Sequence, residues 1–204
     1  MRIVTAALLT LCLLVPAGAP AEEDEPPALN PFGTKPQSRE DALPGCAVLS
    51  DGSIFAGKLY LTREVRLKIY DDQTQRQREI PLRVIQCLEC KVKKQWMEKE
   101  WRFKENANDE KVFTGKQYPA REYLHTITLQ DGRQITGPLS GVVYVDPYEG
   151  GETQKFLMHK RQKGPLDTKL ESLVYLQKIV LGEQAMREAL ARKQQQLESP
   201  RNNK

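Results

Sequence analysis

The sequence predicts an all-β chain with one short C-terminal helix, and three observations carry that expectation. The first is an internal echo: "LSDGSIFAGKL" from Leu49 to Leu59 returns as "LQDGRQITGPL" from Leu129 to Leu139, with Asp51, Gly52, Gly57 and Leu59 repeated as Asp131, Gly132, Gly137 and Leu139. The second is apolar alternation on both sides of each Asp-Gly pair, the period of a strand with one buried face. The third is that a helical composition is confined to the end, in "GEQAMREALARKQQQLESPRNNK".

The elements follow in chain order. Arg2 precedes the apolar run "IVTAALLTLCLLV" and the small-residue stretch "PAGAPAEEDE", the order of a secretory signal peptide over residues 1–21 with removal after Ala21. The run is about 13 residues, short of the roughly 20 that span a bilayer as a helix, so the expectation is an exported protein, periplasmic or extracellular, with no stable membrane anchor once the signal is gone. Residues 22–45 are rich in proline and poor in apolar residues; such a segment cannot offset its ordering entropy and reads as a tether.

Residues 46–92 read as the first small β-barrel. "CAVLS" and "SIFAGKLYL" flank Asp51 and Gly52, whose pairing suits the positive φ of a tight hairpin, and "VRLKIYD", "REIPL" and "VIQCLECKV" supply three further strands. Gly57 sits inside the second strand, where a missing side chain permits a bend or bulge that would help a short sheet close. Residues 124–182 read as a second such barrel built on Asp131, Gly132 and Gly137, with "GVVYVDP", "QKFLMHKR" and "LVYLQKIVL" as later strands; Pro138 removes a ladder donor there. Residues 183–204 give a helix to about Gln196 and a disordered tail, with Glu183–Arg187 and Glu188–Arg192 spaced for i,i+4 pairing.

Between the barrels, residues 93–123 read as a hairpin arm in which "EWRFK" and "KVFTG" flank the polar loop "ENANDE". Of two Trp, seven Tyr and five Phe, six lie here: Trp96, Trp101, Phe103, Phe113, Tyr118 and Tyr123. Such a concentration serves either a seam between barrels or an exposed groove that binds a glycan or peptide, with Trp96, Trp101, Phe103, Phe113 and Tyr118 as its residues. Five positions separate the two tryptophans, so on a regular strand they face opposite sides. The expectation is one structural and one partly exposed Trp, with Trp101 the buried one beside Phe103.

The first strand, Asp-Gly turn and glycine-bearing second strand of each copy resemble the SH3-like and Sm-like small β-barrels, over most of 46–92 and more loosely over 124–182. The resemblance implies that an aromatic groove would hold a glycan or peptide, as bacterial SH3-like wall-binding modules do, and the expectation is a non-enzymatic binding or scaffold role with protein or cell-envelope glycan as partner. An Sm-like nucleic-acid binder is the alternative within that resemblance. Sm proteins that bind RNA carry Asp-x-apolar-x-Asn after the bent strand and Arg-Gly in the last hairpin, whereas this chain has "LTREVRLKI", "SGVVYVDPY", "RVIQCLE" and "ESLVYLQ". A net charge of +4 adds little pull toward nucleic acid, and the basic run Lys155 to Lys163 reads as a solvated strand face with Phe156 and Met158 buried.

The remaining chemistry is sparse. Cys46, Cys87 and Cys90 survive signal removal, and first and last strands of a small barrel are neighbours, so a disulfide from Cys46 to Cys87 or Cys90 is expected. Cys87 and Cys90 also form a C-x-x-C, the basis of an alternative reading as an envelope thiol-redox or metal-binding factor; with Cys46 and His125 or His159 they offer zinc-type ligands without a second close pair. No phosphate loop, nucleophile elbow or metal motif is present, so no catalytic residue, cofactor or metal is assigned, and Asp51 and Asp131 read as turn formers.

Overall fold

The computed structural model describes residues 39–104 and 109–198. The expected signal peptide, the tether as far as residue 38, the arm loop 105–108 and the last residues of the tail lie outside the described residues.

The first segment builds β1 (Leu43–Leu49), β2 (Ile54–Leu61), β3 (Leu67–Asp71), β4 (Arg76–Ile80) and, after Pro81 and a 3-10 turn over Leu82–Val84, β5 (Ile85–Phe103). The second builds β6 (Lys111–Leu129), β7 (Gln134–Gly137), β8 (Leu139–Pro147), β9 (Gln154–Met158), β10 (Arg161–Lys163), a 3-10 turn over Leu170–Ser172 and β11 (Leu176–Leu181). The order of elements is the same in both segments, except that Pro138 splits the second strand of the latter into β7 and β8. Having no N–H, Pro138 takes part in pairing only through its carbonyl, which accepts Tyr70 N–H at 3.0 Å.

Both Asp-Gly turns are built alike. Gly52 and Gly132 take φ of 86° and 83°, and their N–H groups donate to the carbonyls of Leu49 and Leu129 at 3.1 and 3.0 Å. Asp51 and Asp131 accept through Oδ1 from the backbone N–H of Ser53 and Arg133, at 2.9 and 3.0 Å. Neither aspartate is itself left-handed. Leu49 pairs with Ser53 and Leu129 with Arg133, so each loop has three residues and ends on a left-handed glycine, where the sequence had suggested a two-residue turn.

The strands form one sheet in the order β10-β6-β5-β11-β1-β2-β8-β3-β4, with β7 also on β6 and β9 on β8. Two separate barrels are therefore not what these strands build, and the reason is visible in the register. β11, the last strand of the second segment, inserts between β5 and β1, where Val180 pairs with Cys87 on one side and Cys46 on the other. Likewise β8 pairs with β2. Neither segment closes on itself.

A single core results: Ala47, Leu59, Ile69, Leu88, Ile127, Leu139, Val143, Val145 and Ile179 are each at most 1% exposed and come from both segments. Gly57 and Gly137 serve this arrangement by close approach, since a Cβ at Gly57 would overlap the Asp146 carbonyl oxygen and one at Gly137 the Tyr70 carbonyl oxygen. The helix α1 (Glu183–Glu198) lays Ala185, Met186, Ala189 and Leu190, at i,i+3 and i,i+4 spacing, against Cys46, Ala56, Ile54 and Val180 on the outer side of the sheet. Of the two ion pairs expected along it, Glu183–Arg187 forms at 2.9 Å, while Glu188 accepts from Gln184 at 3.0 Å.

Candidate functional site: the aromatic ribbon

β5 and β6 are each 19 residues long and pair to the end, but the sheet does not follow them that far. β11 leaves the outer edge of β5 at Glu89. The outer edge of β6 is covered by β10 at 120–122 and then by the backbone of Gly164 and Asp167, which donate to the carbonyls of Pro119 and Gln117. Beyond these points, among the described residues, neither outer edge pairs with another strand. At about 3.3 Å per residue the free part of β5 runs roughly 40 Å.

At the far end Trp101 lies opposite Phe113 and Phe103 opposite Lys111, which puts the three aromatic rings and one ammonium on a single face. Trp101 and Phe103 meet edge to face with centroids 5.2 Å apart, and Lys111 Nζ sits 4.2 Å from the Trp101 ring centre. Exposures are 38% for Trp101, 50% for Phe103 and 62% for Phe113. Arg102 and Val112 occupy the opposite face. Three residues, Thr114, Gly115 and Lys116, stand opposite Glu100 alone; Gly115 takes φ of 85°, and the strand bulges there.

The neck of the ribbon is different. Trp96 is half-buried opposite Ala120, between the Lys94 ammonium at 5.1 Å and the Arg161 guanidinium at 5.0 Å, and Arg161 in turn pairs with Glu98. Lys163 Nζ donates to the Tyr118 hydroxyl at 3.1 Å and lies over its ring. The five aromatic candidates thus fall into two groups, Trp101, Phe103 and Phe113 at the tip and Trp96 and Tyr118 at the neck. The two tryptophans do differ, but Trp101, expected inside, is the exposed one. β10 and the 164–167 backbone stop short of it, and among the described residues its ring is met by Phe103 and Lys111.

The cysteines are free thiols in positions that explain why the expected disulfide is not formed. Cys46 and Cys87 both flank Val180, two strand spacings or about 9.5 Å apart, beyond the roughly 7 Å that a disulfide spans. Cys90 lies three residues along β5 from Cys87 and so on the other face, with Leu88 toward the core, which separates the two thiols of the C-x-x-C. Burial raises the pKa of all three thiols, Cys90 to about 12. His125 pairs with Cys90 across the β5–β6 ladder, His159 is exposed, and no three His, Cys, Asp or Glu side chains among the described residues are placed to hold a metal ion.

Two features went unread in the sequence. His125, on β6, is 1% exposed, and its inward parity with Tyr123, Ile127 and Leu129 was the available signal. Asp71 is 3% exposed at the β3–β4 turn, where it accepts from Thr74 Oγ1 and Gln73 N–H and pairs with Arg78 at 2.9 Å. Burial works against its charge, yet these bonds hold its pKa below the usual carboxylate value.

No helix among the described residues is long and apolar enough to cross a membrane. Comparison of the chain with protein-family models, with curated proteins and with solved structures finds no match.

Proposed function

We propose that the chain is an exported, non-enzymatic binding or scaffold protein that holds a partner on the aromatic face at the tip of the β5–β6 ribbon. The observation that carries the reading is the set of Trp101, Phe103 and Phe113, exposed together on one face of a ribbon whose outer edges are unpaired there. An uncovered cluster of large apolar side chains costs solubility and is best accounted for by a partner. Export is supported by the signal-peptide pattern of residues 1–21, and the non-enzymatic reading by the lack of a recognisable catalytic motif in the sequence.

An extended polypeptide fits this tip better than a glycan. A peptide can add to an unpaired strand edge through its backbone while the aromatic side chains receive its alternate residues. Stacking on a sugar needs an open ring face, and Lys111 lies over that of Trp101. The test is retention of the full chain on immobilised unstructured peptides and on envelope glycans, compared with a Trp101→Ala/Phe103→Ala/Phe113→Ala variant. The reading expects peptide retention that the triple variant loses while its far-ultraviolet circular dichroism and cooperative unfolding are kept. Retention on glycans alone would replace the partner class, and equal retention by both proteins would overturn the site.

At the level of fold, we propose that the two segments are copies of one SH3-like or Sm-like unit that have exchanged last strands. The shared order of elements supports this. So does the register: Ala47 of β1 pairs with Ile179 of β11, Ile127 of β6 pairs with Leu88 of β5, and Ile179 and Leu88 pair with each other.

A further inference from the structure

A cavity of about 400 Å³ opens between β6, β9, β10 and the segment leading into β11, away from the ribbon tip. Its wall is apolar over much of its extent, from Leu49, Phe156, Met158 and Leu176. Its far side is held in place by Arg121, whose guanidinium donates to the carbonyls of Leu170 and Leu173 at 2.8 and 2.7 Å, and by Tyr123, whose hydroxyl donates to Gln162 Oε1 at 2.6 Å. The space is therefore bounded by bonded, packed groups.

Two further observations bear on what would enter it. His125 forms part of the wall and is 1% exposed, and its Nδ1 has no hydrogen-bond partner in the structure. A buried polar atom left in that state is costly, and it marks this wall as a place where a water carried in with a ligand would find a hydrogen-bond site. The second observation is charge: Lys155 lines the cavity together with His159 and with Lys163, whose ammonium is turned to Tyr118, and no Asp or Glu does.

We propose that this cavity binds a small amphipathic anion, a molecule with an apolar body that fills the space and a single carboxylate, sulfonate or phosphate head held at the lysine-bearing mouth. The volume is in the range of pockets that enclose a small organic ligand. Chemistry on the ligand is not part of the proposal, because the Cys90 thiol beside His125 is a poor nucleophile with its pKa pushed up to about 12 by burial.

The test uses the full chain with its histidine rings isotopically labelled, titrated with decanoate below its micelle concentration and, in parallel, with decyltrimethylammonium, which has a similar body and the opposite charge. Saturable binding of one decanoate per chain is expected, with a shift of the His125 ring resonances. Lys155→Glu should weaken it about tenfold through the reversed charge at the mouth. Val174, 39% exposed and part of the lining, gives a second variant that leaves the core alone: Val174→Trp should block the mouth and abolish the response while far-ultraviolet circular dichroism stays unchanged. Equal binding of the ammonium, decanoate binding that leaves His125 unshifted, or Lys155→Glu without effect would each overturn the proposal. Association with anionic phospholipid vesicles but not with monomeric decanoate would overturn it too, because the anion would then belong to a bilayer.

Discussion

At its base the β5–β6 hairpin turns Leu88, Cys90, Tyr123, His125 and Ile127 inward, none more than 5% exposed; toward the far end the same two strands hold Trp101, Phe103 and Phe113 out at 38–62%. The two strands stay paired between the two ends apart from bulges, and both ends carry large apolar side chains. What differs is the surrounding sheet. The base has β11 and β7 beside it and the rest of the core beneath it, while the tip has only its own two strands. A side chain adds to stability by the area taken from water. The same kind of residue is therefore part of the fold at one end and surplus to it at the other, and the surplus is what a binding face requires.

The contrast can be broken most forcefully by truncation at each end. Leu88→Ala should cost about 2–5 kcal/mol through lost contacts and a residual cavity, whereas Trp101→Ala should cost only about 1–2 kcal/mol, from its cation–π and edge-to-face contacts at the surface. Denaturant midpoints of the two variants check this, and similar losses would mean that the tip is covered.

Between pH 6.5 and 4 acid should act on the base of the hairpin and not on its aromatic tip. Burial holds His125 neutral with a pKa lowered from 6.5 to about 4, so the unfolded chain binds the proton that the folded chain refuses. Stability contributed by the neutral ring is complete above the unfolded value, falls as pH drops from 6.5 toward 4, and is about 3 kcal/mol lower at the acid end. The groups nearest the ring, Cys90 and Tyr123, stay protonated across that window, and burial moves both further from it, to about 12. Urea unfolding across this pH range should show the slope in the parent chain and a shallower one in His125→Gln; identical slopes would remove His125 as the cause.

Glycines sharpen the comparison further. At Gly137 an added Cβ meets the Tyr70 backbone, so Gly137→Ala should destabilise toward the upper end of the roughly 1–3 kcal/mol range for overpacking. At Gly115, near the tip, the space is open and only the positive φ opposes a side chain, so Gly115→Ala should cost about 1 kcal/mol. Thermal melts would rank them, and the reverse order would contradict the picture of a crossing strand at the base. The smallest effect is expected for Lys111→Ala, about 0.5–1 kcal/mol from the exposed cation–π contact with Trp101, read as a small fall in midpoint and a change in Trp emission.

How far the sequence spoke for this arrangement depends on the range of the interaction. Asp51, Gly52, Asp131 and Gly132 set local hydrogen bonds, and both turns stand where the residues placed them, each one residue longer than the Asp-Gly pair suggested. The helix from Glu183 was equally legible from spacing. Which strand lies beside which was not, because Ile179 and Leu88 carry the same alternating apolar signal and nothing local tells β1 to pair with β11 instead of β5. The disulfide expectation failed with that step. Trp101 failed for a related reason: periodicity gives the face a ring points to, and whether anything covers that face is decided by strands far away in the chain. The opposed faces of Cys87 and Cys90, by contrast, follow from their spacing alone once they are placed on a strand.

Native-state hydrogen exchange along the β5–β6 hairpin tests the central claim most directly, because it reads the protection of each amide from the covered base to the uncovered tip in the unaltered chain. Leu88, Cys90, His125 and Ile127 are predicted to exchange only through global unfolding, and the amides from Glu100 to Phe103 and from Lys111 to Thr114 through local fraying with far lower protection. Tip amides as strongly protected as those at the base would show that the aromatic face is already covered and would contradict the account.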